Sequence, residues 1–505
     1  MMNIEERLKQ YARVKLTTDL SLLNDNERNI IPLLIEAARA MDDAFWIQVY
    51  GDSAPLLAST TDPNIRQYIQ LNYGPWDALR DDEPFVTGVG TKPPGANFYP
   101  SDMTAKAFEA SSILQPDLAS MYTMVCRDPA GSLVAFPYHK FFSTQVQFAA
   151  DKLRQAARLI DQQSLKAYLK LRADALLTDD YRASDVAWLE MKDNTIDILI
   201  GPIETSADRL YGQKAAYAAT ILIKDQHWSQ RLNRYIHLLS HFQEQLPISA
   251  AYKREQPGLS SDLYVYDVLY CAGYDNVSVP LGVNLPNDEE VRLRMGTRSL
   301  QLKNTMWAKF EKLLVPMANM LIVPEQLQYV TFEAFFNLVM LHEIGHGLVS
   351  RHTVTGNGLV RDTLKDLDHP IEESKANLLS LFIITYLNRM GDVSDTELSE
   401  AYVTMLANML RQSDSRQALL QLNSFKKMGA YSRDSNTKTY QVHLDRMQAT
   451  INELAEQILR LQGDGNYAEA KLLLEKYGHP DSDLDEDIQR FQSMGNPIEI
   501  VLEQD

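Results

Sequence analysis

Cysteine is scarce: Cys126 and Cys271 are all that the 505-residue chain holds. Two thiols cannot build the disulfide framework of a secreted protein, and a thiol-keeping compartment, the cytoplasm, is the expected setting. Long apolar runs are missing as well. The longest, Leu378–Leu387, spans about ten residues, includes Ser380 and Thr385, and would cross only half a bilayer. The opening residues, MMNIEERLKQYARVKL, carry charge throughout and lack the apolar stretch of a secretory signal. No membrane association is expected. Positive charge is in deficit, with 49 Lys and Arg against 67 Asp and Glu, a net charge of −18, and no local basic run to offset it. Such a field repels phosphate backbones, so nucleic acid is not an expected partner. Phosphate-cradling motifs are absent too. Gly88, Gly90 and Gly95 lie in a Gly/Pro stretch, residues 84–101, with neither Walker spacing nor a dinucleotide fingerprint, and Pro93-Pro94 would break a following helix. That stretch reads as a structural loop.

What is present has the make-up of an ordinary soluble globular protein, 45% hydrophobic and 23% charged. The length predicts roughly two to four domains. Residues 3–50 read as two helices, with Leu22, Leu23, Ile30, Ile31, Leu33, Leu34, Ile35 and Ala38 forming a wide buried face. Residues 147–176 also read as helix. Residues 195–201, 219–223, 264–270 and 277–285 are β-like, the last closed by Pro286-Asn287-Asp288. From about 295 onward helix dominates. There Leu444, Met447, Ile451, Leu454, Ile458 and Leu461 follow three-four spacing, a seam read as a core-packing face rather than a dimer stripe, with Gly463 and Gly465 ending it. Residues 466–478 resemble one helix of a helical repeat, without a second copy.

The sharpest chemical signal is Leu341-His342-Glu343-Ile344-Gly345-His346-Gly347, at the end of the apolar, helix-compatible run Phe332–Leu341. Residues four apart share a helix face, so His342 and His346 can offer two imidazole nitrogens to one metal. Glu343 is displaced by about 100° around the axis, close enough to reach a water at the metal without competing for the ion. Zinc suits such ligands, and a water on it has a pKa near ~7, within reach of a carboxylate base. A third ligand must come from elsewhere. Glu372 and Glu373 open a mostly apolar helix further on, and a carboxylate ligand with a neighbouring hydrogen-bond partner explains the pair better than favourable charge at a helix start. A second four-spaced pair, His237 and His241, has Leu238 where a base is needed and reads as an ordinary helix face. Gly345 and Gly347 each cost about 1 kcal/mol of helix propensity, which implies that something packs closely beside the histidines.

His342-Glu343-Ile344-Gly345-His346, followed by Glu372-Glu373-Ser374-Lys375-Ala376-Asn377, resembles the dipeptidyl peptidase III family of zinc metallopeptidases. The likeness is to the branch with the five-residue histidine motif, which includes the peptidase-like part of a plant Nudix-fusion protein. It runs through residues 72–76, 95–100, 200–205 and 282–287, and no Nudix box is present. The resemblance implies an α+β, mainly helical fold with two lobes around a wide cleft, one helical and zinc-binding, the other with a β-barrel-like core. On this chain that places a mixed lobe at about 1–295, with crossing between lobes allowed, and the helical catalytic lobe at 296–505. It also implies release of dipeptides from the N-terminus of short peptides by attack of a metal-bound water, with one zinc per chain. His342, His346 and Glu373 are then the ligands and Glu343 the general base, while Glu372 and Asn377 orient the histidines. Glu204, Asn284 and Asn287 would hold the substrate's ammonium group, and the strand around Gly282 would pair with its backbone. A zinc-containing peptide-binding protein with little turnover and a zinc hydrolase of a non-peptide amide are the competing expectations.

Three positions depart from the family pattern. Ser206 stands where the family has an oxyanion-stabilising tyrosine. Asp414, counted back from Gly429, stands where it has a histidine serving the transition state. Asn377 replaces an acidic residue.

Overall fold

Asn24 accepts a hydrogen bond from the Glu27 N–H, and the Glu27 carboxylate reaches back to the Asn24 N–H, both at 2.9 Å. This capping box starts helix α1, Asp25–Val49, in a computed structural model that describes residues 3–258, 261–349 and 351–504. The chain divides into two compact units, one of Met1–Asp225, Tyr264–Thr305 and Ile500–Asp505, the other of Gln226–Leu263 and Met306–Glu499. The fold is α+β and mainly helical.

In the first unit α1 buries Ile30, Leu34, Ala37, Ala38, Met41 and Phe45, and packs on α2, Ser143–Leu159. Helix α2 packs in turn on α3, Gln163–Leu176. Of the apolar face read in the sequence, Ile30, Leu34 and Ala38 are buried on this helix, Ile31, Leu33 and Ile35 are half-buried, and Leu22 lies before the helix and is exposed. Five strands form the β-rich core: β1 Ile196–Glu204, β2 Ala216–Lys224, β3 Ser261–Gly273, β4 Gly282–Leu285 and β5 Thr297–Leu302, in the order β1-β2-β3-β5-β4. β1 and β2 run antiparallel from Ile196 opposite Ile223 to Glu204 opposite Ala216, with a bulge between Pro202 and Glu204. β4 ends the order, with Asn284 opposite Ser299 and Gly282 opposite Gln301. Residues 85–101 form no strand or helix, as expected of the Gly/Pro loop.

Three elements differ from the sequence reading. Residues 3–24 supply a short helix, Ile4–Leu8, a strand, Tyr11–Val14, that pairs with Glu499–Leu502, and a 3-10 turn, Leu20–Leu22, rather than a full helix. The strand expected from 277 begins at Gly282, because Gly273, at φ 66°, turns the chain into a helical turn at Tyr274–Val277. β5 lies where helix was expected to begin.

The second unit is built around α6, Asp368–Met390, which packs against α5 (Phe332–His346), α7 (Asp395–Arg411), α8 (Arg416–Met428) and α9 (Leu444–Asp464). Its run Leu378–Leu387 is core; such side chains contribute about 1.5–3 kcal/mol each on full burial. Met447, Ile451, Leu454, Ile458 and Leu461 of α9 are buried within the same chain, so the seam is a core-packing face except at its first position, Leu444, which is exposed. Gly465, at φ 64°, caps α9, whereas Gly463 lies inside it, where a Cβ would come within 2.3 Å of the Tyr252 ring. His237 and His241 sit on separate helices, Gln226–His237 and Leu239–Gln245, and His241 bonds the Tyr386 hydroxyl at 2.6 Å. Among the described helices none is long and apolar enough to cross a membrane.

Candidate metal centre

Helix α5 starts at Thr331, whose hydroxyl accepts the Ala334 N–H, and it is apolar around nearly its whole circumference. Such a helix belongs in a core. Besides Glu333 in its first turn and the buried Asn337, its polar groups are His342, Glu343 and His346 in the last turns, all half-buried. α6 brings Glu372, Glu373 and Asn377 to them in its first three turns. The two helices approach closely at Gly345. A Cβ there would stand 3.0 Å from the Ala376 carbonyl oxygen, 3.1 Å from its Cα and 3.3 Å from Leu379 Cβ. The close packing inferred from the glycines is therefore real at Gly345.

This crossing sets the site. His342 Nδ1 lies 2.8 Å from Asn377 Oδ1, and His346 Nδ1 lies 2.9 Å from Glu372 Oε1. Both partners are acceptors, so each Nδ1 carries the proton and each Nε2 keeps a bare lone pair. The two Nε2 atoms are 3.0 Å apart. Glu373 adds Oε2 at 3.4 Å from His342 Nε2 and Oε1 at 3.8 Å from His346 Nε2. Three electron-rich groups thus converge, and His342, His346 and Glu373 each offer a ligand atom within 4.8 Å of the others. Ligands about 2.0–2.2 Å from one tetrahedral ion stand roughly 3–3.5 Å apart, so the donor set fits zinc.

The converging groups also shift one another. Burial pushes the Glu372 carboxyl up, but the Lys375 ammonium at 2.7 Å and the His346 hydrogen bond outweigh it and hold the group well below the usual carboxylate range. Burial likewise raises Glu373, and the neighbouring His342 imidazole reverses the shift downward. Burial would depress His342, yet Glu373, then Glu343, bring it above the ordinary histidine value. The Glu343 carboxylate makes no hydrogen bond or ion pair among the described residues.

Sequence reasoning missed two neighbours. Lys375 could have been found from its i,i+3 spacing to Glu372. Gln462, whose Nε2 donates to Glu372 Oε2 at 2.8 Å from 90 positions away, left no local signal.

The residues expected to bind substrate belong to the first unit. Glu204 ends β1, and its Oε1 accepts from Thr205 N (2.9 Å), Ser206 N (3.0 Å) and Ser206 Oγ (2.7 Å). Asn287 Nδ2 donates to the Ile203 carbonyl at 2.6 Å, which ties it beside Glu204. Gly282 and Asn284 lie exposed on β4. Asp414 is exposed just before Ser415, the cap of α8.

Known proteins share this fold. The family model described as Peptidase family M49 matches residues 137–378. The solved dipeptidyl peptidase III of Caldithrix abyssi is 34% identical and superimposes with a TM-score of 0.94, covering 99% of this chain and 98% of that one. The chain belongs to the dipeptidyl peptidase III family. The family's structure from Corallococcus sp. strain EGB is 31% identical at a TM-score of 0.80, over 99% of this chain and 96% of that one. Nudix hydrolase 3 of Arabidopsis thaliana is 28% identical over 571 residues, 99% of this chain and 73% of its own length. Dipeptidyl peptidase 3 of Mus musculus is 26% identical over 199 residues, 38% of this chain and 26% of its own. As a dipeptidyl peptidase III relative, the protein is a metallopeptidase with peptides as its substrate class.

Proposed function

We propose that the protein is a zinc-dependent exopeptidase that releases dipeptides from the N-terminus of short peptides. The carrying observation is the convergence of His342 Nε2, His346 Nε2 and the Glu373 carboxylate, each histidine fixed through its other nitrogen. Zinc held by these residues would supply a Lewis acid next to the scissile carbonyl and make water acidic near neutral pH. Glu343 accepts the proton of the attacking water and returns it to the leaving amine; its unengaged carboxylate supports that role. In the first unit Glu204 binds the substrate ammonium through Oε2, its Oε1 being occupied by the Thr205–Ser206 turn. Asn284 and Asn287 share that task. β4, with Gly282 and Asn284 at the end of the sheet order, pairs with the peptide backbone, which reads main chain more than side chains. Anchoring the terminal amine fixes which peptide bond is presented. The two free thiols, Cys126 and Cys271, support a cytoplasmic setting.

Ser206 is committed to Glu204, so it supplies no tyrosine-like donor to the oxyanion, and turnover about 10²–10³ below a family member with that donor is expected. Metal analysis combined with dipeptidyl-arylamide release tests the proposal. One zinc per chain and turnover abolished in Glu343→Ala with zinc retained support it. Zinc and peptide affinity without turnover, or turnover of non-peptide amides alone, would overturn it.

A further inference from the structure

The Glu372 carboxylate has a full set of partners, and two of them come from residues with no part in the ligand set. Oε1 takes His346 Nδ1 at 2.9 Å and Lys375 Nζ at 2.7 Å; Oε2 takes Gln462 Nε2 at 2.8 Å. Lys375 and Gln462 are 6% and 5% exposed, so both donors reach the half-buried Glu372 carboxylate from buried positions. Lys375 is further held by the Leu348 carbonyl at 3.3 Å, just past the end of α5. Gln462 is held by its place in α9. The next residue, Gly463, lies against the Tyr252 ring, and its carbonyl accepts the Val354 N–H at 2.7 Å. Asp464 Oδ1 accepts from the Tyr252 hydroxyl at 2.8 Å, and Gly465 packs on Thr353 and Thr363. The end of α9 is therefore bolted in place, and the amide it carries cannot drift from Glu372.

We infer that Gln462 and Lys375 are positioning residues for the metal: by pinning both oxygens of Glu372 they fix the plane of the carboxylate that orients His346, and so set how tightly the centre grips its ion. A carboxylate held by one histidine alone could rotate about its side-chain torsions and let the imidazole tilt. Held from two further directions, it keeps Nε2 aimed at the point shared with His342 and Glu373. Outer partners of a ligating histidine are worth about 10–100-fold in metal affinity. Gln462, one step further out, should sit at the lower end of that range, about 10-fold.

The inference rests on the reading of His342, His346 and Glu373 as ligands, and the test separates the two. The zinc dissociation constant of the full chain is measured by chelator competition for wild type, Gln462→Met and Gln462→Lys. Methionine matches the side chain's length but donates nothing, whereas lysine restores a donor. The expected result is about a 10-fold loss of zinc affinity in Gln462→Met, largely recovered in Gln462→Lys, with the metal-free thermal midpoint of both near wild type. If Gln462→Met fails to fold, the pair Lys375→Met and Lys375→Arg replaces it, with loss in the first and recovery in the second. Equal zinc affinity in the donor and donor-free variants would overturn the inference, while a wild-type chain that binds no zinc would overturn the ligand reading instead.

Discussion

Gly345 on α5 meets the backbone of Ala376 on α6 so closely that a single Cβ would stand 3.0 Å from the Ala376 carbonyl oxygen. Backbone atoms in two packed helices cannot step aside as a side-chain tip can, so a larger residue must part the helices. Gly345→Val is expected to lose about 1–3 kcal/mol of stability through overpacking. It should also weaken zinc binding, because His342 and His346 would move away from Glu372, Glu373 and Asn377 together. Denaturant unfolding of the metal-free chain and chelator competition measure the two losses, and a variant as stable and as zinc-avid as wild type would show that the crossing is looser than described.

Asn377 holds His342 Nδ1 at 2.8 Å through a neutral oxygen. Asn377→Leu removes the acceptor and should cost about 10–100-fold in zinc affinity, while Asn377→Asp keeps it and adds charge, so affinity should be held or increased. Titration against a zinc-selective chelator checks the order leucine, asparagine, aspartate; leucine binding as tightly as asparagine would contradict it.

Ser206 spends both its hydroxyl and its N–H on Glu204 Oε1, at 2.7 and 3.0 Å. Ser206→Ala leaves the carboxylate with its backbone bonds but frees its rotation. The expected outcome is a KM for free-amine dipeptidyl substrates raised by roughly 3–10-fold, the worth of one hydrogen bond, with kcat little changed. A fall in kcat at constant KM would place Ser206 at the reacting bond instead.

Burial lifts the Asp275 carboxyl from its ordinary value near 3.8 to about 7, with Thr220 Oγ1 donating to it at 2.5 Å against that trend. Between these values the folded chain keeps a proton that the unfolded chain has released. Its contribution to stability therefore falls as pH rises from about 4 to 7, by up to ~1.4 kcal/mol per unit, and is flat above. Asp275→Asn does not titrate. Relative to wild type it should gain stability between pH 5 and pH 8, read as the difference in thermal midpoints; parallel curves for the two proteins would rule this out.

The centre was legible because its parts are local. The i,i+4 histidines, the adjacent glutamates and the two helices that carry them are each fixed by spacing within one turn or two. The α9 seam was legible for the same reason. β5 was not, because Arg298, Ser299 and Gln301 hide a fully buried strand behind polar residues. Arg298 is accommodated by remote partners: its Nη2 donates to the carbonyls of Leu189 and Met191, a hundred positions upstream, at 3.0 and 2.6 Å, and its guanidinium lies over the Trp188 ring and near Asp197. The pairing of Tyr11–Val14 with Glu499–Leu502 and the reach of Gln462 to Glu372 are equally remote contacts. No periodicity records them.

One helix, α6, carries Glu373, the proposed carboxylate ligand, and also Glu372 and Asn377, which hydrogen-bond the two histidines. A roll or slide of that rod displaces all three at once. The proposed grip on an ion would thus share a single mechanical coordinate. An ion bound there would join residues 332–346 to residues 368–390 like a rivet through two beams.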